Sequence, residues 1–204
     1  MIDSKLYPKF SRAYEYLLRP LAKSAIRPVH VTLLGFAFGL AAAALVTQSL
    51  YCLAILPMLL NRVLDGMDGA LARVQQRTTA SGAFLDICLD FCFYSLFVLS
   101  FALADPDRAL CAAFLLFSYI LTCSSFLALS GALARAGKPE KFATYRHKGL
   151  YFVAGICEGT ETILTMLLML LFPAYFCRIA LIFGSLCVLT ATLRVYAGAR
   201  QLSR

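Results

Sequence analysis

The sequence predicts an all-α, polytopic membrane protein with six transmembrane helices, preceded by an N-terminal amphipathic helix at the membrane interface. Of its 204 residues, 61% are hydrophobic and only 15% are charged. The mean hydropathy of +0.77 is well above that of a soluble domain with an ordinary polar surface. The apolar residues form six long runs, and most basic residues lie between alternate runs. We therefore expect residues 1–30 to form an interfacial helix and linker, and residues 31–204 to form one membrane domain.

The N-terminal segment has the pattern of a basic amphipathic helix. Its apolar residues recur at steps of three and four with lysine and arginine between them, which is typical of a helix in the membrane interface. These residues are Leu6, Phe10, Tyr14, Leu17, Leu18 and Leu21. A basic flank that only sets topology is the alternative interpretation. A cleavable signal peptide is not expected, because a long, mostly polar stretch with several prolines precedes the first apolar run.

Six apolar runs follow, each close to the roughly 20 residues that cross a bilayer as a helix. Ser49, the Asp105–Asp107 segment and Pro173 mark turns between them, since turn residues and proline interrupt a hydrogen-bonded helix. The predicted spans are Val31–Gln48, Leu50–Arg73, Gly82–Ala104, Ala109–Gly131, Gly149–Phe172 and Ile179–Gly198.

The lysines and arginines predict that both termini lie in the cytoplasm. With the N-terminus inside, only Arg108 and Arg178 of the 19 basic residues fall outside, while Arg62 lies within the second span. Such an excess of basic residues marks the cytoplasmic side of a membrane protein. The net charge of +8 also favours anionic lipid headgroups as partners over nucleic acid, because there is no soluble domain to carry a basic reading face.

The eight cysteines are scattered through apolar runs. They form no CxxC pair and are not accompanied by clustered histidines. This distribution argues against a zinc site or a disulfide framework. We expect the cysteines to be small apolar packing residues.

Four aspartates interrupt the second and third predicted spans. Asp65 and Asp68 are three residues apart, and Asp86 and Asp90 are four apart, so each pair lies on one face of its helix. Ionisable residues inside a span are functional candidates, because a carboxylate facing lipid is unfavourable. In an antiparallel hairpin the four carboxylates converge near the cytoplasmic leaflet. They would repel one another unless cations lay between them, and oxygen ligands suit magnesium, manganese or calcium.

Glycines and an arginine accompany the aspartates. Gly66, Gly69 and Gly82 lie within a turn of an aspartate. Glycine is about 1 kcal/mol less favourable than alanine in a helix, so the three indicate either room for a close ligand or close helix packing. Arg73 follows Asp65 by eight residues and is predicted to face the same cleft. A metal-bound anion held by arginine, such as a diphosphate, accounts for these features together.

The spacing of these residues resembles, at every fixed position, the signature of the CDP-alcohol phosphatidyltransferase family. The pattern is Asp65-x2-Asp68-Gly69-x2-Ala72-Arg73-x8-Gly82-x3-Asp86-x3-Asp90. The six predicted spans, the N-terminal helix and the segment IRPVHVTLLGFAFG are also similar to that family. The stretches GAFLDICLDFCFYS and EGTETIL look closest to a bacterial inner-membrane branch of it.

The resemblance implies an enzyme of phospholipid biosynthesis, a homodimer of six-helix protomers in the bacterial inner membrane. It would transfer a phosphatidyl group from CDP-diacylglycerol to an alcohol acceptor and release CMP. Two divalent ions, Mg²⁺ or Mn²⁺, would be held by Asp65, Asp68 and Asp86, while Asp90 would act as the general base and also contact metal. The residues implied to bind the donor nucleotide are Gly69, Ala72, Arg73 and Gly82.

The signature does not determine the acceptor. Arg135, Lys138 and Arg194 resemble the basic residues of family members that use a phosphorylated acceptor, although Arg194 could instead snorkel to the interface. Glu158 and Glu161 lie three apart on the fifth span and could bind acceptor hydroxyls, receive an amine or pair with an arginine. Together these residues favour a polyol phosphate such as glycerol 3-phosphate or an inositol phosphate. Serine, a neutral polyol and phosphatidylglycerol are the alternatives.

Two other classes use similar carboxylates. Membrane prenyltransferases also combine aspartate-rich motifs with magnesium and diphosphates, but their chains are longer and their motifs are spaced differently. A small divalent-cation transporter or metal-binding membrane protein would need the carboxylates but not the glycines and Arg73. The sequence therefore favours the transferase.

Overall fold

The computed structural model describes residues 13–22, 24–136 and 159–203. Throughout this part of the chain the regular structure is helical, as the sequence predicts. The long helices are α1 (Pro28–Thr47), α2 (Tyr51–Val74), α3 (Ala80–Ala104), α4 (Ala109–Arg135), α5 (Gly159–Leu171) and α6 (Phe176–Leu202). Short 3-10 turns occupy Arg19–Leu21, Pro106–Arg108 and Pro173–Tyr175.

Four helical stretches in the described ranges are long and apolar enough to cross a membrane. They are Pro28–Thr47, Ala80–Ala104, Pro106–Arg135 and Pro173–Leu202. The membrane class is therefore confirmed. The second predicted span corresponds to α2, which has 24 residues but carries two basic and two acidic side chains between Arg62 and Arg73. The fifth predicted span begins at Gly149, outside the described residues, and its described part is the 13-residue α5. The count of six spans stays a prediction.

The turn between α2 and α3 is set by local hydrogen bonds. Thr79 caps α3, since its side-chain oxygen accepts a hydrogen bond of 3.1 Å from the backbone amide of Gly82. Gln76 has a φ of 53°, in the left-handed region that suits a helix-ending turn. The chain therefore reverses direction within a few residues and places the end of α2 and the start of α3 at the same level.

The chain divides into two compact units, and the first contains α1, α2 and α3. In it, α1 packs against both other helices. Gly39 explains the close approach: a Cβ there would lie 2.7 Å from the ring of Phe93 on α3 and 3.1 Å from the amide nitrogen of Asn61 on α2. Small residues let membrane helices approach closely in this way. α1 thereby holds α2 and α3 beside each other.

The N-terminal helical segment at residues 13–18 also belongs to this unit. Leu18 is buried against Ala70 and Leu71 of α2, and Tyr14 packs beside it. Leu17 points away and is 66% exposed. Leu6 and Phe10, which are part of the predicted amphipathic pattern, lie outside the described residues. The interfacial helix and a domain boundary at residue 30 stay predictions.

The second unit contains α4 and α6 with most of α5. A disulfide joins Cys111 at the start of α4 to Cys177 at the start of α6. Their Cα atoms are 5.2 Å apart, within the usual range for disulfides. The expectation that the cysteines are packing residues without disulfides is therefore wrong for this pair. The sequence gives no sign of it, because the two positions are 66 residues apart and only the packing of α4 on α6 brings them together.

Candidate active site

The four signature aspartates lie at neighbouring ends of α2 and α3. Three of them, Asp65, Asp86 and Asp90, line one cleft with an empty volume of about 230 Å³, its open mouth included. α1 contributes Thr32, Gly35 and Phe36 to its wall, α2 adds Asn61 and Arg62, and α3 adds Leu89. The convergence predicted from the spacing of the aspartates is therefore seen for three of the four.

Asp68 lies beside this cleft and is held separately. It is buried and accepts a hydrogen bond from the hydroxyl of Thr32 on α1. Sequence reasoning missed Thr32, since nothing in the apolar first span distinguishes it as a partner for an aspartate one helix away. This hydrogen bond links α2 to α1 at one of the predicted metal ligands.

The carboxylates of the cleft are not equivalent. Asp86 has a buried oxygen, Oδ1, that has no hydrogen-bond partner within the described part of the chain. The Asp90 side chain is 27% exposed, so a substrate entering the cleft can reach it.

The fourth charged group that lines the cleft is Arg62. Its Nη2 donates a 2.9 Å hydrogen bond to Oδ1 of Asp90, and its Nη1 lies 3.8 Å from Oδ2 of Asp65. The Arg62 side chain is only 7% exposed. Sequence reasoning considered Arg62 only as a partner for Glu158 or Glu161, although an arginine inside a span, three residues before an aspartate, is itself a signal of a buried ion pair.

The donor atoms of the cleft are of the kind that binds a divalent cation, but the side chains are not arranged around a common point. Their donors are carboxylate oxygens, which Mg²⁺ and Mn²⁺ prefer, and the unpartnered Oδ1 of Asp86 is a buried acceptor that a cation would satisfy. Within the described part of the chain, however, no three acidic, cysteine or histidine side chains are arranged to hold a metal ion. In this arrangement Arg62 instead contacts two of the predicted ligands, Asp65 and Asp90.

The predicted nucleotide-binding residues, Gly69, Ala72, Arg73 and Gly82, are not among those that line the cleft. Among the described residues, a Cβ on Gly69 would meet only Nη1 of Arg73, at 3.5 Å, which leaves room for a ligand on this face of α2. Arg73 is partly exposed, and its Nε forms a 2.7 Å ion pair with Oε1 of Glu15 in the N-terminal segment.

Two further glycines illustrate the alternative that the sequence left open. A Cβ on Gly66 would lie 3.0 Å from the ring of Tyr14, so Gly66 serves packing of the N-terminal segment on α2. A Cβ on Gly82 would lie 3.0 Å from Oγ1 of Thr79, the residue that caps α3. Gly66 is therefore explained by close packing against Tyr14, and Gly82 by the room that the Thr79 cap of α3 needs.

The predicted acceptor residues belong to the second unit. Arg194 on α6 is 5% exposed, and its Nη1 donates to the carbonyl oxygen of Thr122 at 2.9 Å and to Oγ of Ser125 at 3.2 Å. Snorkelling is therefore wrong for Arg194, because α4 holds its guanidinium inside the unit. Arg135 is exposed at the end of α4, and Glu161 is half-buried in the first turn of α5. Lys138 and Glu158 lie outside the described residues.

Comparison with known proteins identifies the class of enzyme. The model of the CDP-alcohol phosphatidyltransferase family matches residues 25–196, and the chain belongs to this family of phosphatidyltransferase enzymes. The family generally depends on a divalent cation and uses CDP-alcohol substrates. The resemblance inferred from the signature is confirmed.

Individual relatives add detail. The chain is 46% identical to the inner membrane protein YnjF of Escherichia coli strain K12, over 97% of this chain and 95% of YnjF. It is 28% identical to the archaetidylinositol phosphate synthase of Pyrococcus horikoshii, over 98% of this chain and 97% of the synthase. It is also 34% identical to the bifunctional IPC transferase and DIPP synthase of Aquifex aeolicus, over 43% of this chain and 20% of that protein. The similarity to YnjF and the apolar helices indicate a bacterial inner-membrane protein.

Proposed function

We propose that this protein transfers a phosphatidyl group from CDP-diacylglycerol to an alcohol acceptor and releases CMP. The observation that carries the proposal is that three aspartates of the complete family signature meet in one cleft formed by α1, α2 and α3. A donor that is both nucleotide and lipid suits a polar cleft built from apolar helices, because each half of the donor then has its own environment.

In this proposal Asp65, Asp68 and Asp86 hold two divalent ions, Mg²⁺ or Mn²⁺, with a contribution from Asp90. When bound, the ions neutralise the donor diphosphate and stabilise the departing CMP. Asp90 removes the proton from the acceptor hydroxyl, a role that its partial exposure allows.

The CDP portion of the donor is proposed to lie along the exposed end of α2 and the start of α3, against Gly69, Ala72, Arg73 and Gly82. The open face of Gly69 supports this placement. Arg73 now pairs with the Glu15 carboxylate. A donor phosphate would compete with that carboxylate for the same guanidinium, because both are anions suited to a charge-assisted hydrogen bond.

For the acceptor we propose a polyol phosphate, such as glycerol 3-phosphate or an inositol phosphate, bound by Arg194 with Arg135 and Lys138. Two observations support it: a guanidinium held inside the second unit, and similarity to a protein named for the synthesis of archaetidylinositol phosphate. Glu158 and Glu161 are proposed to contact acceptor hydroxyls. Serine, a neutral polyol and phosphatidylglycerol are the competing acceptors.

We further propose a homodimer with six spans per protomer, both termini in the cytoplasm and the site at the cytoplasmic leaflet. The excess of basic residues at one side supports this orientation. The Cys111–Cys177 disulfide supports it independently, since disulfides persist in oxidising compartments such as the periplasm. α3 begins near Asp86, and its 25 residues are enough to cross a membrane, so under this orientation the chain that follows α3 would emerge in the periplasm.

The test is CMP release from CDP-diacylglycerol by the purified protein, with Mg²⁺ or Mn²⁺ and with EDTA as the control. The acceptor panel holds glycerol 3-phosphate, inositol phosphate, serine, inositol, glycerol and phosphatidylglycerol. We expect metal-dependent release with one phosphorylated polyol. Release with a neutral acceptor would refute the acceptor assignment alone. Manganese uptake into vesicles without CMP release would instead favour the cation transporter.

A further inference from the structure

We propose that Arg62 is a positioning residue that holds the Asp90 carboxylate and serves as a built-in counter-cation of the aspartate cluster, so that it sets the affinity of the site for divalent ions. This inference rests on the proposed function, since it concerns the metal site of that reaction. It assigns a role to a residue that is not part of the family signature described above.

The contacts of Arg62 place its charge among the carboxylates. One arm of the guanidinium donates to Asp90 at 2.9 Å, and the other lies 3.8 Å from Asp65. Carboxylates gathered in one cleft repel one another, and a neighbouring cation relieves this repulsion. Because the Arg62 side chain is 93% shielded from solvent, its charge is weakly screened and acts strongly on both neighbours.

Arg62 is also held by groups other than the aspartates. Its Nε donates to Oδ1 of Asn61 at 2.7 Å, and the Asn61 amide donates in turn to the carbonyl oxygen of Gly35 on α1 at 2.8 Å. Its Nη1 donates to the hydroxyl of Tyr94 at 2.8 Å. The guanidinium carbon lies 4.9 Å and 5.0 Å from the ring centroids of Phe93 and Tyr94.

This set of partners uses the features that distinguish arginine from lysine. The planar fork makes several directed hydrogen bonds at once, and its faces pack on aromatic rings. The Arg62 side chain is held directly by residues of α2 and α3, and through Asn61 by α1. It therefore does not move away when a divalent ion binds. The ion must therefore share Asp65 and Asp90 with a fixed positive charge, which weakens metal binding. When no metal is bound, the positive charge of Arg62 reduces the repulsion between the aspartates, and its hydrogen bond keeps Asp90 oriented toward the cleft.

The experiment compares the native full-length protein with Arg62→Gln and Arg62→Lys in detergent micelles. Arg108→Gln is a matched control, because Arg108 also pairs with an aspartate, Asp105 at 3.0 Å, and donates to a tyrosine, Tyr51 at 3.0 Å, beyond the opposite end of α3. Three measurements are made: the melting temperature in EDTA, the Mn²⁺ dissociation constant from the electron paramagnetic resonance signal of free Mn²⁺, and the steady-state kinetics of CMP release, which give kcat and the KM for the donor.

We expect Arg62→Gln to melt at a lower temperature in EDTA, to bind Mn²⁺ at least about tenfold more tightly and to regain most of the lost stability when Mn²⁺ is added. Arg108→Gln should also melt earlier, but with native Mn²⁺ affinity and no recovery. Arg62→Lys keeps the positive charge but loses the planar guanidinium and its directed hydrogen bonds. Its Mn²⁺ affinity should stay within about threefold of native, while kcat falls at least about tenfold at unchanged KM for the donor.

Unchanged or weaker Mn²⁺ binding in Arg62→Gln, with native Mn²⁺ binding intact, would overturn this inference and leave the proposed function standing. An absence of Mn²⁺ binding in the native protein would overturn both. Should Arg62→Gln not fold even with Mn²⁺, Arg62→Lys decides the question, because a native kcat in that variant would overturn the positioning role.

Discussion

Gly39 offers the sharpest test of how α1 organises the cleft. A Cβ at this position would lie 2.7 Å from Cδ2 of Phe93 and 3.1 Å from Nδ2 of Asn61. Neither neighbour can yield easily: Phe93 is 1% exposed and packs on Phe97, and the Asn61 amide is bonded to the backbone of α1. Both residues also hold Arg62. Gly39→Ala should therefore disturb stability and the site together.

The expected magnitude follows from two opposing effects. Alanine is about 1 kcal/mol more favourable than glycine in a helix interior, whereas overpacking a tight contact costs about 1–3 kcal/mol. The two effects leave a net loss between about 0 and 2 kcal/mol. The 2.7 Å approach to a buried ring favours the upper end of that range, which would lower the melting temperature by several degrees in a protein of this size. Gly131→Ala is the matched control, since a Cβ there meets no atom of the described residues within 4 Å and should raise the melting temperature slightly.

The assay is the thermal unfolding of the native protein, Gly39→Ala and Gly131→Ala in one detergent, followed by CMP release at a temperature where all three are folded. We expect only Gly39→Ala to lose both melting temperature and turnover. If the two alanine variants melted at the same temperature, α1 would not be packed as described, and the support that it gives to Arg62 through Asn61 would be refuted.

Three other predictions follow from the site and the second unit. Asp90→Asn should lower CMP release at least about a hundredfold while keeping the thermal shift caused by Mn²⁺ and donor, as loss of a base requires; near-native turnover would contradict that role. Arg194→Ala should raise KM for a phosphorylated acceptor at least about tenfold, and an equal rise for a neutral acceptor would mean that Arg194 acts through folding alone. Cys111→Ser should remove the disulfide and lower stability by about 2–4 kcal/mol, an effect that dithiothreitol should reproduce on the native protein but not on the variant.

The helix boundaries were largely predictable because hydrophobic runs end where charged and turn residues begin. The predicted start of α4 agrees with the structure, and α2 differs by one residue at each end. Other helices extend a few residues beyond their apolar runs, as α6 does to Leu202, since polar residues continue a helix that leaves the apolar layer. The charges in α2 mark the site, and they also make that helix less apolar than the four candidate spans.

The features of the candidate site that could be predicted are those that depend on the spacing of residues within a single helix. Spacing along α2 and α3 places each aspartate pair on one face, which led to the cleft. The partners of Arg62 and Arg73 depend on which residues of other helices come within 3 Å, and helical periodicity does not contain that information. The same holds for Thr32, whose hydroxyl reaches Asp68 only because α1 packs against α2.

The disulfide between α4 and α6 has a consequence for how the protein is made. Cys177 lies at the start of α6, so its disulfide with Cys111 cannot form until the start of α6 has left the ribosome and entered the insertion machinery. Under the proposed orientation, oxidation also requires that both cysteines have crossed to the periplasm. The oxidised form, separated from the reduced form on a non-reducing gel after a radioactive pulse, would therefore report when α6 of a newly synthesised chain has been inserted and has packed on α4.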